Sequence, residues 1–268
     1  MPPAPPPAPG PSGGLRAAYA AIGGELLAVL LLFVCAGVFV ANIPGLVAGL
    51  DALARALLGP PAVAAPEFRK IVAVTVTPLA TLLAAFLHHR LARGLDGDAP
   101  GPASPELPTA GLPPPAPLLA SAGQTALHLA AAIAGSYVLA VAMHLLGLPV
   151  AEQPLVLEIV ASPLGPEVAV LAVSALALAP LGEELLFRRQ LFRRLQARVG
   201  PGPALLASAL LFAAVHMNLQ GLVVYAWLGL VFARVYAVTG RLGAAVAVHF
   251  GNNAVTLAFL LLSPTPAP

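Results

Sequence analysis

The sequence predicts an all-α, polytopic membrane helix bundle of about seven transmembrane helices. Three observations carry that prediction. Apolar residues make up 59% of the 268 positions and charged residues only 9%, a balance that excludes an ordinary soluble domain. Apolar runs recur along the chain at lengths near the roughly 20 residues that a helix needs to cross a hydrocarbon core about 30 Å thick. The runs are separated by Gly, Pro and Arg, residues that end helices or anchor them at the interface.

Taken in order, the first run falls within Leu26 to Leu50, and the second within Ile71 to Leu87, just before His88, His89 and Arg90. A third lies between Ala120 and Leu146. The fourth starts near Val168, the fifth near Pro203, the sixth near Leu219 and the seventh near Leu242. Two stretches stand apart. "MPPAPPPAPGPSGG" lacks the early basic region and apolar core of a secretory signal and reads as a Pro-rich disordered tail. Leu95 to Pro117, "LDGDAPGPASPELPTAGLPPPAP", reads as an extended, polyproline-like linker. The expected organisation is a tail over 1–20, N-terminal transmembrane helices over 21–90, a linker over 91–119, a helical transmembrane domain over 120–262 and a short tail over 263–268. Cys35 is the single cysteine, so one chain holds neither a disulfide nor a cysteine metal site. The Ala, Pro, Gly and Arg bias, with Lys70 the only lysine, resembles a high-GC bacterial genome, and the expected location is a bacterial plasma membrane.

Arginines orient the chain, because short cytoplasmic loops carry the excess of Lys and Arg. Arg188, Arg189, Arg193, Arg194 and Arg198 follow the start of the fourth span, whereas Leu148 to Pro166 has neither Lys nor Arg. The former end is therefore expected in the cytoplasm, with Arg16, Arg90, Arg93, Arg234 and Arg241 on the same side. Arg55, Arg69 and Lys70 run against this polarity. A net charge of +2 gives no reason to expect a nucleic-acid partner. The expected partners are the lipid bilayer and a peptide or membrane-protein substrate.

Within "APLGEELLFRRQLFRRLQ" two carboxylates follow an apolar run directly. Val168 to Gly182 holds fifteen residues without a charge, about 22 Å of helix at about 1.5 Å per residue, which is short of a full span. The helix must continue through Glu183 and Glu184, placing both near the edge of the hydrocarbon. An ionisable group at that depth marks a functional site unless it is paired or faces water. The chain turns at Gly200, Pro201 and Gly202, so an antiparallel return brings His216 to the depth of Glu183. His249 lies eight residues beyond Arg241, with Asn253 one turn later on the same face. The spacing predicts one polar cluster of carboxylate, two imidazoles and an amide from three helices.

These residues resemble the CAAX protease and bacteriocin-processing (CPBP) family of intramembrane endopeptidases. The Glu-Glu-x-x-x-Arg motif is similar to Glu183, Glu184 and Arg188; Phe-x-x-x-His to Phe212 and His216; and His-x-x-x-Asn to His249 and Asn253. The resemblance runs over about 167–262. It implies hydrolysis of peptide bonds near the cytoplasmic face by a water that a glutamate activates. In that scheme Glu183 is the general base, His216 holds the water, and His249 with Asn253 polarises the scissile carbonyl. Glu184 and Arg188 form an (i, i+4) pair that orients the helix, and Phe212 packs against the imidazole. A zinc-dependent variant of the scheme uses Glu183, His216 and His249 as ligands with a water in the fourth position. It would pass the role of base to Glu184, which faces about 100° away on a regular helix. The chemistry otherwise calls for no cofactor.

The remaining polar residues have plainer readings. His128 and His144 are expected to bond between helices, and His88 and His89 to lie at the interface. Glu25 is expected to snorkel outwards, and Glu152, Glu158 and Glu167 to form an outer rim. Asn218 and Gln220 are placed to cap a helix end, and Gly251 and Asn252 to permit close helix packing. Two other functions share the composition: a catalytically silent scaffold or bacteriocin-immunity protein on the same helices, and a transporter with an intramembrane proton relay. Paired half-repeats would mark a transporter, and the sequence has none.

Overall fold

The computed structural model describes residues 11–41, 49–50, 52–53, 55–56, 65–95, 115–161 and 166–263. The expected tail as far as residue 10, the linker over 96–114 and residues 264–268 lie outside them. The described residues are mostly helical and include no strand. We number the helices α1 (Pro11–Ala41), α2 (Ala65–Leu95), α3 (Leu118–Leu145), α4 (Pro154–Val160), α5 (166–199), α6 (Pro201–Val215), α7 (Leu222–Thr239) and α8 (Leu242–Leu262). α1 begins at Pro11, inside the stretch expected to be a tail.

Six of these helices are long and apolar enough to cross a membrane, namely all except α4 and α6. The bundle is therefore polytopic, but the fifth apolar run does not make a full span. At 15 residues α6 rises about 22 Å, because the chain leaves the helix at His216 with polar Asn218 and Gln220 following. α5 runs on as the sequence predicts. It continues unbroken through Glu183 and Glu184 for about 50 Å, so its C-terminal third extends well past the length of a span.

Local chemistry sets the turns. Pro117 precedes α3, and Gly147, at φ 69°, takes the left-handed conformation just past its end. α5 ends at Gly200 with φ 83°, and Pro201 then occupies the first position of α6, where a missing N–H costs nothing. α7 closes on left-handed Gly240, whose N–H reaches the Tyr236 carbonyl at 2.9 Å.

α5 is not a uniform α-helix. Ser174–Leu178 and Glu184–Phe192 are π-helical, each wider than the α turns that flank it. Carbonyls in both segments are met by side chains of other helices. Ser208 Oγ donates to the Phe187 carbonyl at 3.1 Å, and Asn253 Nδ2 donates to the Ala175 carbonyl at 2.9 Å. Such external donors supply partners for backbone groups in a widened turn.

The main core gathers around the second π segment. Leu186, Phe187, Leu191, Phe192 and Leu195 of α5 are fully buried against Phe212 of α6 and Phe232 of α7, with Val29 of α1 and Ala84 of α2 in the same cluster. Small residues let backbones approach, as membrane helix pairs require. A Cβ on Gly229 of α7 would lie 2.9 Å from Ala209 Cα and 3.0 Å from its carbonyl oxygen. A second, smaller cluster at the other end of the bundle joins Val74, Ile159, Val160, Leu171 and Leu257.

Several polar residues sit deeper than expected. Glu25 does not snorkel outwards: at 6% exposure it faces Arg194 (Nε to Oε1, 3.0 Å), Arg198 and His88 (Nε2 to Oε2, 3.4 Å). His88 is correspondingly buried within the bundle. Three elements thus share one carboxylate, which is the only way that such a group stays charged away from water. Glu167 is also buried instead of forming a rim, while Glu158 pairs with Lys70 at 3.1 Å.

Candidate functional site

The three motifs converge. Glu183 and Glu184 stand where the regular turn Ala179–Glu183 passes into the π segment of α5. His216 is the C-terminal cap of α6, and His249 and Asn253 lie on α8. His249 sits between the two carboxylates. Its Nδ1 is 2.9 Å from Glu184 Oε1, and its Nε2 is 3.9 Å from Glu183 Oε2. A carboxylate only accepts, so Nδ1 carries the proton and donates it to Glu184.

This corrects the expectation that Glu184 faces away from Glu183. Both carboxylates reach one imidazole from adjacent positions where the π segment begins at Glu184. Glu184 consequently holds His249 as well as Arg188, whose Nε lies 2.9 Å from Glu184 Oε2. That contact is one of charge and not an aligned hydrogen bond, since none of the guanidinium nitrogens has a hydrogen-bond partner. Arg188 is fully buried in an aromatic cage instead. Its Cζ lies 4.6 Å from the Phe212 ring centroid, 5.5 Å from that of Phe232 and 5.9 Å from that of Phe187. Ring faces at this range attract a desolvated cation.

The same rings hold the histidines. Phe232 stacks on His249 at 4.5 Å between centroids, and Phe212 meets His216 at 4.7 Å. His216 Nδ1 lies 2.7 Å from the Phe212 carbonyl. A carbonyl only accepts, so this bond puts a proton on Nδ1 and leaves the Nε2 lone pair of the neutral ring free. Met217 follows at φ 51°, a left-handed conformation that a non-glycine residue rarely adopts, and it turns the chain sharply off the end of α6. Glu183 is close enough to act electrostatically on His216, and its Oε2 is buried without a hydrogen-bond partner. Asn253 gives one N–H to the Ala175 carbonyl, which leaves its second N–H and its Oδ1 uncommitted by that bond.

Glu183, His216, His249 and Asn253 therefore lie on elements brought together around one locus, with Glu184, Arg188 and Phe212 beside them. The conditional zinc set Glu183, His216 and His249 is not assembled as three ligands. Among the described residues no group of three or more His, Cys, Asp and Glu side chains is placed to hold a metal ion. His128 bonds its own helix through the Gln124 carbonyl at 2.7 Å, and His144 is exposed.

Other contributors carry no motif. Tyr225 of α7 stacks on His216 at 4.2 Å between centroids and 23° between planes. Asn218 Nδ2 donates to the Ala151 carbonyl at 2.8 Å while its Oδ1 accepts from the N–H groups of Gln220 and Gly221. It thus ties the segment before α4 to the start of α7, where a cap for the end of α6 was expected. Phe187 and Phe232 complete the cage around Arg188. An aromatic residue in a membrane helix is too common to single these out; only Asn218, polar and close to His216, offered a signal.

Residues 165–255 match the family model described as type II CAAX prenyl endopeptidase Rce1-like. No curated protein and no solved structure matches this chain.

Proposed function

From the match of residues 165–255 to the CAAX prenyl endopeptidase family model, we propose that this chain hydrolyses peptide bonds with a water activated by Glu183. The observation that carries this reading is the array Glu184–His249–Glu183, with His216 presenting a free Nε2 lone pair beside it.

Each group then has a chemical task. Glu183 Oε2, buried and without a partner of its own, accepts a proton from a water that also hydrogen-bonds His216 Nε2. The water oxygen bonds to the scissile carbonyl carbon, and the carbonyl becomes an oxyanion. His249, with its Nε2 protonated, donates to that oxyanion, and the uncommitted N–H of Asn253 is a second donor. Glu184 fixes His249 through Nδ1, and Arg188 balances the charge of Glu184. The C–N bond breaks as Glu183 returns its proton to the leaving amine.

No step in this sequence is routed through a metal, because Glu183, His216 and His249 do not form a three-ligand group. The substrate is a peptide or a segment of a membrane protein. The arginine-rich end of α5 argues that the turn at Gly200 faces the cytoplasm, in a bacterial plasma membrane if the composition reports its source.

The test is hydrolysis of a membrane-tethered quenched-fluorescent peptide library by purified protein. Wild type and Glu183→Gln are compared, each with and without chelator. Cleavage that survives chelation and is lost in Glu183→Gln is the expected result. Loss on chelation of wild type would point to a metal-dependent mechanism, and no cleavage by folded wild type would favour the silent scaffold.

A further inference from the structure

The segment 146–153 between α3 and α4 lies outside the residues that match the endopeptidase family, yet it forms part of the wall beside His216. Its Ala151 carbonyl is held by Asn218, two residues from His216. Its Gln153 side chain and that of Asn218 are both within hydrogen-bonding reach of the Tyr225 hydroxyl, and the Tyr225 ring stacks on His216. Gly221 is part of the same construction. A Cβ there would lie 2.6 Å from Tyr225 Cε2 and 2.9 Å from Asn218 Nδ2, so any larger residue would displace the Tyr225 ring or the Asn218 amide.

Glu152 stands between Ala151 and Gln153 on this wall. The Tyr225 phenol is within electrostatic reach of both Glu152 and Glu183. Their situations differ from that of Glu184, whose charge is balanced by Arg188. Among the described residues no Lys, Arg or His forms an ion pair with Glu152. Burial accordingly holds its carboxyl above the ordinary carboxylate range. A half-buried carboxylate with no cation beside it gains most from a partner that supplies one, since a charge-assisted bond is strongest where water is scarce.

Resting on the endopeptidase reading, we infer that Glu152 is a specificity residue that selects substrates with a basic side chain next to the scissile bond. The lysine or arginine of the substrate seats against Glu152, beside Tyr225, while the carbonyl lies against His249. The negative balance of Glu152 and Glu183 favours such a peptide over a neutral or acidic one.

The experiment compares tethered peptides that differ at one position beside the cleaved bond, lysine against its neutral isostere norleucine and against glutamate. The protein is the full chain, as wild type, Glu152→Gln and Glu152→Lys. Wild type is expected to cleave the lysine peptide with kcat/KM about tenfold above the norleucine peptide, the size of one charge-assisted pair. In Glu152→Gln that ratio falls to about one while cleavage of the norleucine peptide persists, which also establishes that the variant folds. Glu152→Lys shifts preference to the glutamate peptide. Equal cleavage of lysine and norleucine peptides by wild type, or a ratio unchanged in Glu152→Gln, overturns the role of Glu152 and leaves the endopeptidase standing. Absence of cleavage of every peptide by wild type overturns both.

Discussion

Arg188 and Glu184 form the buried charge pair on which the site depends, and the cost of breaking it follows from burial. Both side chains are fully enclosed, and the guanidinium is held by three ring faces without a hydrogen bond. Removing one partner strands the other charge in a medium that solvates it poorly. Arg188→Met is therefore expected to destabilise the fold by about 3–5 kcal/mol, read as the loss in thermal unfolding of the detergent-solubilised protein. The double variant Glu184→Gln/Arg188→Met is expected to recover much of that loss, because no charge is then left unpaired. Its activity would stay low, since His249 loses the carboxylate that receives its Nδ1 proton. If the double variant were as unstable as the single one, the pair would not be the source of the cost. Arg188→Lys is not a mild change either. A compact ammonium neither spreads over three rings nor reaches Glu184 through the same atom, so its cleavage rate should fall with little change in peptide KM.

At the scale of elements, helix contacts rest on missing side chains as much as on present ones. The α6–α7 contact at Gly229 involves backbone atoms of Ala209, which cannot swing aside as a side-chain tip would. Gly229→Ala is expected to cost about 1–3 kcal/mol in unfolding free energy, whereas Gly243→Ala, with nothing within 4 Å of its added Cβ, should leave stability unchanged or slightly raised. Equal effects would mean that α6 and α7 separate freely. The helices themselves are legible in the sequence because apolar runs, Pro117, Gly200 and Gly240 mark their ends. The convergence of Glu183, His216 and His249 is legible too, since polar groups stranded in lipid must find one another. The π segments are not. They arise from backbone accommodation to partners on other helices, such as Ser208 and Asn253, and no local composition announces it. Glu184 reads from the sequence only as the partner of Arg188, and its contact with His249 has no local signal. The fifth run reads as a span because its fifteen residues are apolar, while polar Asn218 and the left-handed Met217 end the helix short of a full crossing.

At the scale of the molecule, the N-terminal helices are joined to the site-bearing helix by the charges around Glu25. Its carboxylate meets Arg194 across 169 positions of sequence and Arg198 across 173, with His88 of α2 on its other oxygen. Separations of that order leave no periodic trace in a sequence, which is why Glu25 and Arg194 read as interfacial. In the fold they fasten α1 and α2 to the end of α5, the same helix that carries Glu183 and Glu184. Glu25 and Arg194 are both buried, so Glu25→Gln is expected to cost about 3 kcal/mol by leaving a buried guanidinium facing a neutral amide. Arg198 is 43% exposed, and Arg198→Gln should cost no more than about 1 kcal/mol because solvent screens that arm of the cluster. The pair Glu25 and Arg194 should also be strongly non-additive. A double-mutant cycle of Glu25→Gln with Arg194→Gln, followed by thermal unfolding, is expected to give a coupling of about 1–3 kcal/mol. Additive losses would mean that α1 packs on α5 by its apolar face alone. A large coupling would make the N-terminal pair, which lies outside the endopeptidase match, a structural part of the unit that positions the carboxylates.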